Sequence, residues 1–166
     1  ENFYRIKPES VSLIKSLEEK IDYAVIFLEK NRDKNLVAPI LEKLIEDRTK
    51  TLILFDIYNL ENFYDILLKY KDSPTIYFLF LGDVYAELTG FNPQSKTSKI
   101  IKNAIKNKSL VLAGNDLKPL FPIYYKDAIV GIDQILFGPK LTQKFFYLFY
   151  NHPQTYISTI HIIKRV

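Results

Sequence analysis

Residues Thr51–Tyr85 read TLILFDIYNLENFYDILLKYKDSPTIYFLFLGDVY, a strand, a helix and a second strand in succession. Thr51–Ile57 and Thr75–Leu81 are short apolar runs, and each meets an acid at its end, Asp56 in the first and Asp83 just past the second. Runs this short and this apolar suit strands of a parallel sheet. Between them Asn59 is placed to cap a helix by accepting an orphan backbone N–H, and Glu61 suits the positive end of its dipole. Asp72-Ser73-Pro74 stops that helix after about Lys71. The unit predicts a three-layer, flavodoxin-like α/β domain of four to five mostly parallel strands with helices on both faces. Right-handed crossovers carry the C-terminal ends of such strands to one rim, and ligands bind there, where the strand order reverses.

Toward the N-terminus, residues 1–50 read as a helix-strand-helix extension packed on the sheet. Val11, Leu13, Ile14, Leu17 and Ile21 recur at helical spacing over Pro8–Lys20. Tyr23–Leu28, YAVIFL, is continuously apolar, as a strand covered on both faces is. Leu36, Val37, Ile40, Leu41, Leu44 and Ile45 form one helical stripe, with its regular part starting near Ala38 because of Pro39. Toward the C-terminus, the pattern predicts a turn of helix over Val84–Leu88 and a helix over Lys99–Asn107 with Ile100, Ile101, Ala104 and Ile105 inward. It further predicts strands at Leu110–Ala113 and Ala128–Ile132, a helix at Leu141–Tyr150, whose aromatics would suit a strand too, and a closing strand at Tyr156–Ile163.

At 166 residues the chain is one domain's worth, and its 48% hydrophobic and 25% charged content is ordinary for a globular protein. No run reaches the roughly 18 apolar residues of a membrane span. The first ten residues lack the basic-then-apolar pattern of a signal peptide, so a cytoplasmic location is expected. With no Cys, disulfides, thiol nucleophiles and thiolate metal sites are excluded. His152 and His161 are the only histidines. The first 83 residues hold 12 Lys or Arg against 15 Asp or Glu, and the second 83 hold 11 against 4, so net charges of −3 and +7 make up the overall +4. Such a split points to an acidic partner, either nucleic acid or another subunit.

The rim of the expected sheet gathers Glu29, Asp56, Tyr58, Asn59, Asp83, Tyr85, Asn115, Asp116 and Lys118. Carboxylates brought together there would suit Mg²⁺, the one cofactor the pattern admits, and a phosphotransfer or hydrolytic site at Asp56 and Asp83 would follow. The plainer expectation is that acids after strands cap helices and form turns. GxGxxG and GxxxxGK[ST] are both missing, so phosphate cradles of those types are not expected. Lys96, Lys99, Lys102, Lys106 and Lys108 form a basic stripe that could meet nucleic-acid phosphates, or simply face water. Tyr124, Tyr125, Phe145, Phe146, Phe149 and Tyr150 belong to an aromatic crowd too dense for one face of one helix. The excess is expected at a subunit interface.

From Thr51 onward the chain resembles the DsrE/DsrF/DsrH-like sulfur-relay fold, nearest its DsrH (TusB) branch. The resemblance rests on Gly82-Asp83-Val84-Tyr85-Ala86-Glu87-Leu88, on Asp116-Leu117-Lys118 and on Ile132-Asp133. The order of Gly82 and Asp83 is transposed relative to that family, Pro119-Leu120 replaces its Arg-Gly, and residues 1–50 have no counterpart. The family implies small α/β subunits in hetero-oligomers that pass sulfur between cysteines. A chain without cysteine resembles its supporting subunits. The expectation is a non-catalytic, protein-binding subunit of a hetero- or homo-oligomer, with nucleic-acid binding and a Mg²⁺-dependent enzyme as the competing classes.

Overall fold

A computed structural model describes residues 20–28, 34–86, 95–106, 119–139 and 141–163. The expected helix over Pro8–Lys20 and strand over Leu110–Ala113 lie outside these residues, except for Lys20 itself. The described residues fall into two compact units, one drawn from residues up to Phe80 with Ile135–Phe146, the other from Leu81–Gln134 with residues from Tyr147 onward.

In the first unit strand β1 (Tyr23–Leu28) leads into helix α1 (Lys34–Glu46), then strand β2 (Lys50–Asp56). A 3-10 helix (Ile57–Phe63) and helix α2 (Tyr64–Tyr70) follow, and lead to strand β3 (Ile76–Leu81). Strand β7 (Phe145–Leu148) completes a four-stranded sheet in the order β1-β2-β3-β7. β1 and β2 are parallel, Tyr23 opposite Lys50 through Leu28 opposite Phe55. β7 is also parallel to β3, since Phe78 N–H donates to Lys144 O and Gly82 N–H to Leu148 O at equal steps along both strands.

The chain steps across this sheet in one direction, and right-handed crossovers therefore lay α1 and α2 on the same face. Val37 and Leu41 of α1, Phe63 of the 3-10 helix and Ile66 and Tyr70 of α2 are buried with Leu28, Ile53, Phe55, Ile76, Phe78 and Phe80 of the strands. Helix α1 ends with Arg48 in the left-handed region (φ 56°), while Thr49 N–H reaches back to Leu44 O and Arg48 N–H to Ile45 O. That pair of bonds satisfies two orphan carbonyls of the last turn.

The outcome for β1 differs from expectation. Its composition predicts cover on both faces, yet among the described strands it is an edge, with Tyr23, Val25 and Phe27 exposed and only Leu28 fully buried. Nor does the strand order reverse anywhere in this sheet, so it has no internal switch point among the described strands.

In the second unit strand β4 (Asp83–Tyr85) pairs in parallel with β6 (Pro122–Tyr124), and β5 (Pro119–Leu120) pairs antiparallel with β8 (Gln154–Thr155). Helix α3 (Lys96–Ile105) and helix α5 (Tyr156–Ile163) enclose a small core of Ile100, Leu120, Ile160 and Tyr156. Helix α4 (Tyr125–Phe137) begins in this unit and gives its last turn to the first.

Four expectations are corrected here. Val84 and Tyr85 belong to a strand rather than a helical turn, because β4 finds a parallel partner in β6. Ala128–Ile132 lies inside α4, whose buried Ala128, Ile135 and Leu136 recur at helical spacing. Within Leu141–Tyr150 the regular element is a strand, so its aromatics alternate between faces instead of winding round a helix. Tyr156–Ile163 is a helix, started by Thr155, whose hydroxyl accepts from Ser158 N–H at 3.0 Å.

Candidate functional site

Both rim acids are taken up by their own backbone surroundings. Asp56 ends β2 in extended conformation, and its carboxylate accepts from Tyr58 N–H at 3.0 Å and from the Asn59 side-chain amide at 2.6 Å. Asp56, not Asn59, is thus the cap of the following helix, and Asn59 braces it. Asp56 and Tyr58 are exposed and Asn59 is half-buried.

Asp83 sits deeper, 8% exposed. Its N–H donates to Phe121 O at 2.7 Å, and its Oδ2 accepts from Thr97 N–H at 2.7 Å and from the Thr97 hydroxyl. Ser95 adds a second cap to the same helix by accepting from Ser98 N–H at 2.9 Å. A carboxylate facing the first turn of α3 offsets its positive end and satisfies two buried donors. The approach of β4 to Phe121 is close enough to demand Gly82, where a Cβ would lie 2.1 Å from Phe121 O and 2.7 Å from Phe149 Cβ.

Tyr85 is half-buried, and its ring lies 5.6 Å from that of Tyr124, its register partner. Tyr125 meets Tyr124 edge-on at 5.0 Å, and the Lys126 ammonium lies 5.8 Å from both of the latter rings. The parallel strands β4 and β6 therefore end in a three-tyrosine platform with one cation beside it. Spacing in the sequence pairs Tyr124 with Tyr125, but the link to Tyr85 required knowledge of the β4–β6 pairing.

The remaining candidates divide as follows. Glu29, Lys108, Asn115, Asp116 and Lys118 lie outside the described residues. Lys96, Lys99 and Lys106 are exposed along α3 and Lys102 is half-buried, so that part of the basic stripe faces solvent. Ile105, expected inward, is exposed. Phe145 stacks on Phe78 at 5.3 Å and Phe146 lies 6.4 Å from Tyr77. Phe149 packs 5.1 Å from Phe121, and Tyr150 is exposed beside His152. Part of the aromatic crowd thus has ring partners within the chain, while Phe145, Tyr147 and Tyr150 remain exposed. His161 is exposed on α5. No group of three or more His, Asp or Glu is placed to hold a metal ion among the described residues.

One cluster escaped the sequence reading. Lys144 Nζ donates to the carbonyls of Ser73 (2.9 Å) and Pro74 (2.7 Å) and lies 4.4 Å from the Tyr77 ring. Lys50 Nζ donates to Leu136 O at the end of α4, 2.7 Å away, and lies 5.4 Å from the same ring. Burial lowers the pKa of both lysines, because a desolvated ammonium is disfavoured. The only hint in the sequence is a tyrosine amid the apolar run IYFLFL.

Among solved structures the chain is similar to the UDP-N-acetylglucosamine 4-epimerase of Bacillus cereus, at 15% identity and TM-score 0.66. The UDP-glucose 4-epimerase of Thermotoga maritima, with UDP-glucose, gives 11% and 0.69. The dTDP-glucose 4,6-dehydratase of Bacillus anthracis, in complex with NAD, gives 12% and 0.72. The fold is Rossmann-like. The alignments cover 97–98% of this chain but only 62–68% of those chains, so this chain spans about two-thirds of the length of the structures it matches. Identities this low establish the fold alone. No family model and no curated protein matches the sequence. Among the described residues no helix is long and apolar enough to cross a membrane.

Proposed function

We propose that this chain is a non-catalytic α/β module that works by binding a further polypeptide. The observation carrying this reading is that the two acids best placed for chemistry serve as caps. Asp83 is held by Thr97 and Asp56 by Tyr58 and Asn59, so both carboxylates already serve neighbouring backbone and side-chain donors. The supporting subunits of sulfur-relay assemblies, which the motif around Gly82-Asp83 resembles, would be one setting for such a module. Light scattering on the chain purified under native conditions from its source tests the reading. A complex of defined mass and stoichiometry is the expected result, and a lone monomer that turns over a nucleotide sugar overturns it.

The tyrosine platform favours a second reading, a planar anionic ligand such as a nucleotide. Parallel strands present ligands at their C-terminal ends, and Tyr85 and Tyr124 close β4 and β6 there with Lys126 alongside. The NAD-bound dehydratase and the UDP-glucose-bound epimerase of similar fold make NAD and UDP-glucose the first ligands to try. The chain has 12 Tyr and no Trp, so tyrosine emission is not masked by tryptophan, and comparison with Tyr124→Leu isolates the share of the platform. Saturable quenching by either ligand, lost in Tyr124→Leu, supports this reading; no change at millimolar ligand sets it aside.

A further inference from the structure

Lys50, Tyr77 and Lys144 form a row across β2, β3 and the start of β7. Ile53, Phe55, Ile76 and Phe78 share a core with α1 and α2, and Phe145 stacks on Phe78, so strand alternation sends the row to the opposite face of the sheet. All three residues belong to the first unit, as does Leu136, whose carbonyl accepts from Lys50. The Tyr77 ring is buried, with Lys144 Nζ 4.4 Å and Lys50 Nζ 5.4 Å from its centre. Among the described residues neither lysine has a carboxylate within ion-pair distance. Burial disfavours the proton on both, and a like charge beside the same ring acts in the same direction. Donor counts separate the two. Lys144 directs its three N–H groups to the carbonyls of Ser73, Pro74 and Ile76, at 2.9, 2.7 and 3.4 Å, and is a fixed cation without a lone pair. Lys50 has one protein acceptor, Leu136 O at 2.7 Å, and is only half-buried. As a neutral amine it donates one N–H to that carbonyl and keeps its lone pair.

We propose that Lys50 is a covalent capture site for small aldehydes, with preference for those that carry a carboxylate. This goes beyond the protein-binding reading and does not depend on it. A lysine desolvated beside a second cation is activated toward carbonyl groups. The Lys50 lone pair adds to the aldehyde carbon, and the C=O bond breaks. Its oxygen takes one proton from the attacking nitrogen and one from solvent, and leaves as water. The product is an iminium with a single N–H. That N–H matches the one acceptor the site supplies, Leu136 O, and the positive charge stays beside the Tyr77 ring. Acylation would give an amide without that charge, so the site selects carbonyl over acyl chemistry. A carboxylate on the captured aldehyde offsets the charge of Lys144, which has no carboxylate partner among the described residues.

Limiting glyoxylate with cyanoborohydride, added to the full chain at neutral pH, tests the proposal through peptide mapping of the reduced adducts. Lys50 should carry at least about fivefold more adduct than the exposed Lys71 and Lys99, and concentrated guanidinium chloride should erase the difference. With propionaldehyde, which lacks the carboxylate, the preference for Lys50 should fall by about twofold or more. Lys144→Met should bring glyoxylate down to the propionaldehyde level, and the comparison of the two aldehydes on the parent decides the same point should that variant fail to fold. Equal labelling of Lys50 and the exposed lysines, labelling that favours Lys144, or a preference that survives unfolding overturns the proposal. Equal preference with both aldehydes overturns the carboxylate selectivity.

Discussion

Replacing Asp83 by alanine separates a structural carboxylate from a chemical one. In the folded chain its Oδ2 receives two hydrogen bonds from Thr97, one from the N–H and one from the hydroxyl, and Thr97 is only 4% exposed. A hydrogen bond to a charged group contributes about 1.5–3 kcal/mol net, and each buried donor left without a partner costs about 1–3 kcal/mol. Water entering the space vacated by the carboxyl recovers part of this, so a loss of about 3 kcal/mol is expected for Asp83→Ala. For a chain of this length that corresponds to a fall in Tm of roughly 6–12 °C. Asp83→Asn keeps an acceptor for the Thr97 N–H but not the charge, and should lose about half as much. Thermal unfolding by circular dichroism, with and without Mg²⁺, measures all three proteins. Asp83→Ala melting within a degree of the parent, or Mg²⁺ raising the Tm of the parent but not of the variant, would refute the capping account.

Gly82→Ala should be worse than its small volume suggests. The new Cβ would meet a backbone oxygen at 2.1 Å, which no rotamer change can relieve, so a cost of about 3 kcal/mol or more is expected in denaturant melts. Lys144→Met tests the desolvated lysine through pH. Because burial holds the Lys144 pKa below the ordinary 10.5, the unfolded chain binds more protons than the folded one between the lowered pKa and 10.5. Parent stability relative to Lys144→Met should therefore rise with pH across that window, and a fall would contradict the assignment. The stripe of Lys96, Lys99, Lys102 and Lys106 is assayed by gel shift across a salt series. If it serves solvation alone, the parent and a Lys99→Glu/Lys102→Glu variant should retard DNA equally weakly at all salt concentrations. Binding by the parent that collapses steeply with salt and vanishes in the variant would revive the nucleic-acid class.

The middle of the molecule was legible because there local and global signals agree. Apolar runs at Thr51–Ile57 and Thr75–Leu81 became β2 and β3, and Asp56 became the local cap that turn chemistry predicts, whereas Asp83 reaches Thr97 from within β4. The last third was misread where short elements carry mixed signals. Ile157, Thr159, Ile160 and Ile162 favour a strand by branching, yet Thr155 capping Ser158 N–H three residues on starts a helix. Gly131, amid Ile129-Val130 and Ile132, looks like a strand break, but in α4 it makes room for the Leu148 side chain, which a Cβ would meet at 2.6 Å. The tyrosine platform and the Lys50–Tyr77–Lys144 cluster depend on pairings between segments tens of residues apart, which periodicity does not encode. In β1 composition and place diverge: its composition matches an inner strand, and its position among the described strands does not.

Residue-resolved amide exchange in the full chain tests most directly the position of β1 at the edge of the described strands. Slow exchange at Ala24 and Ile26, whose N–H groups bond to β2, with fast exchange at Tyr23 and Val25, is the predicted alternation. Uniform strong protection from Tyr23 to Ile26 in the free protein would mean that this edge is already closed, and would contradict the account.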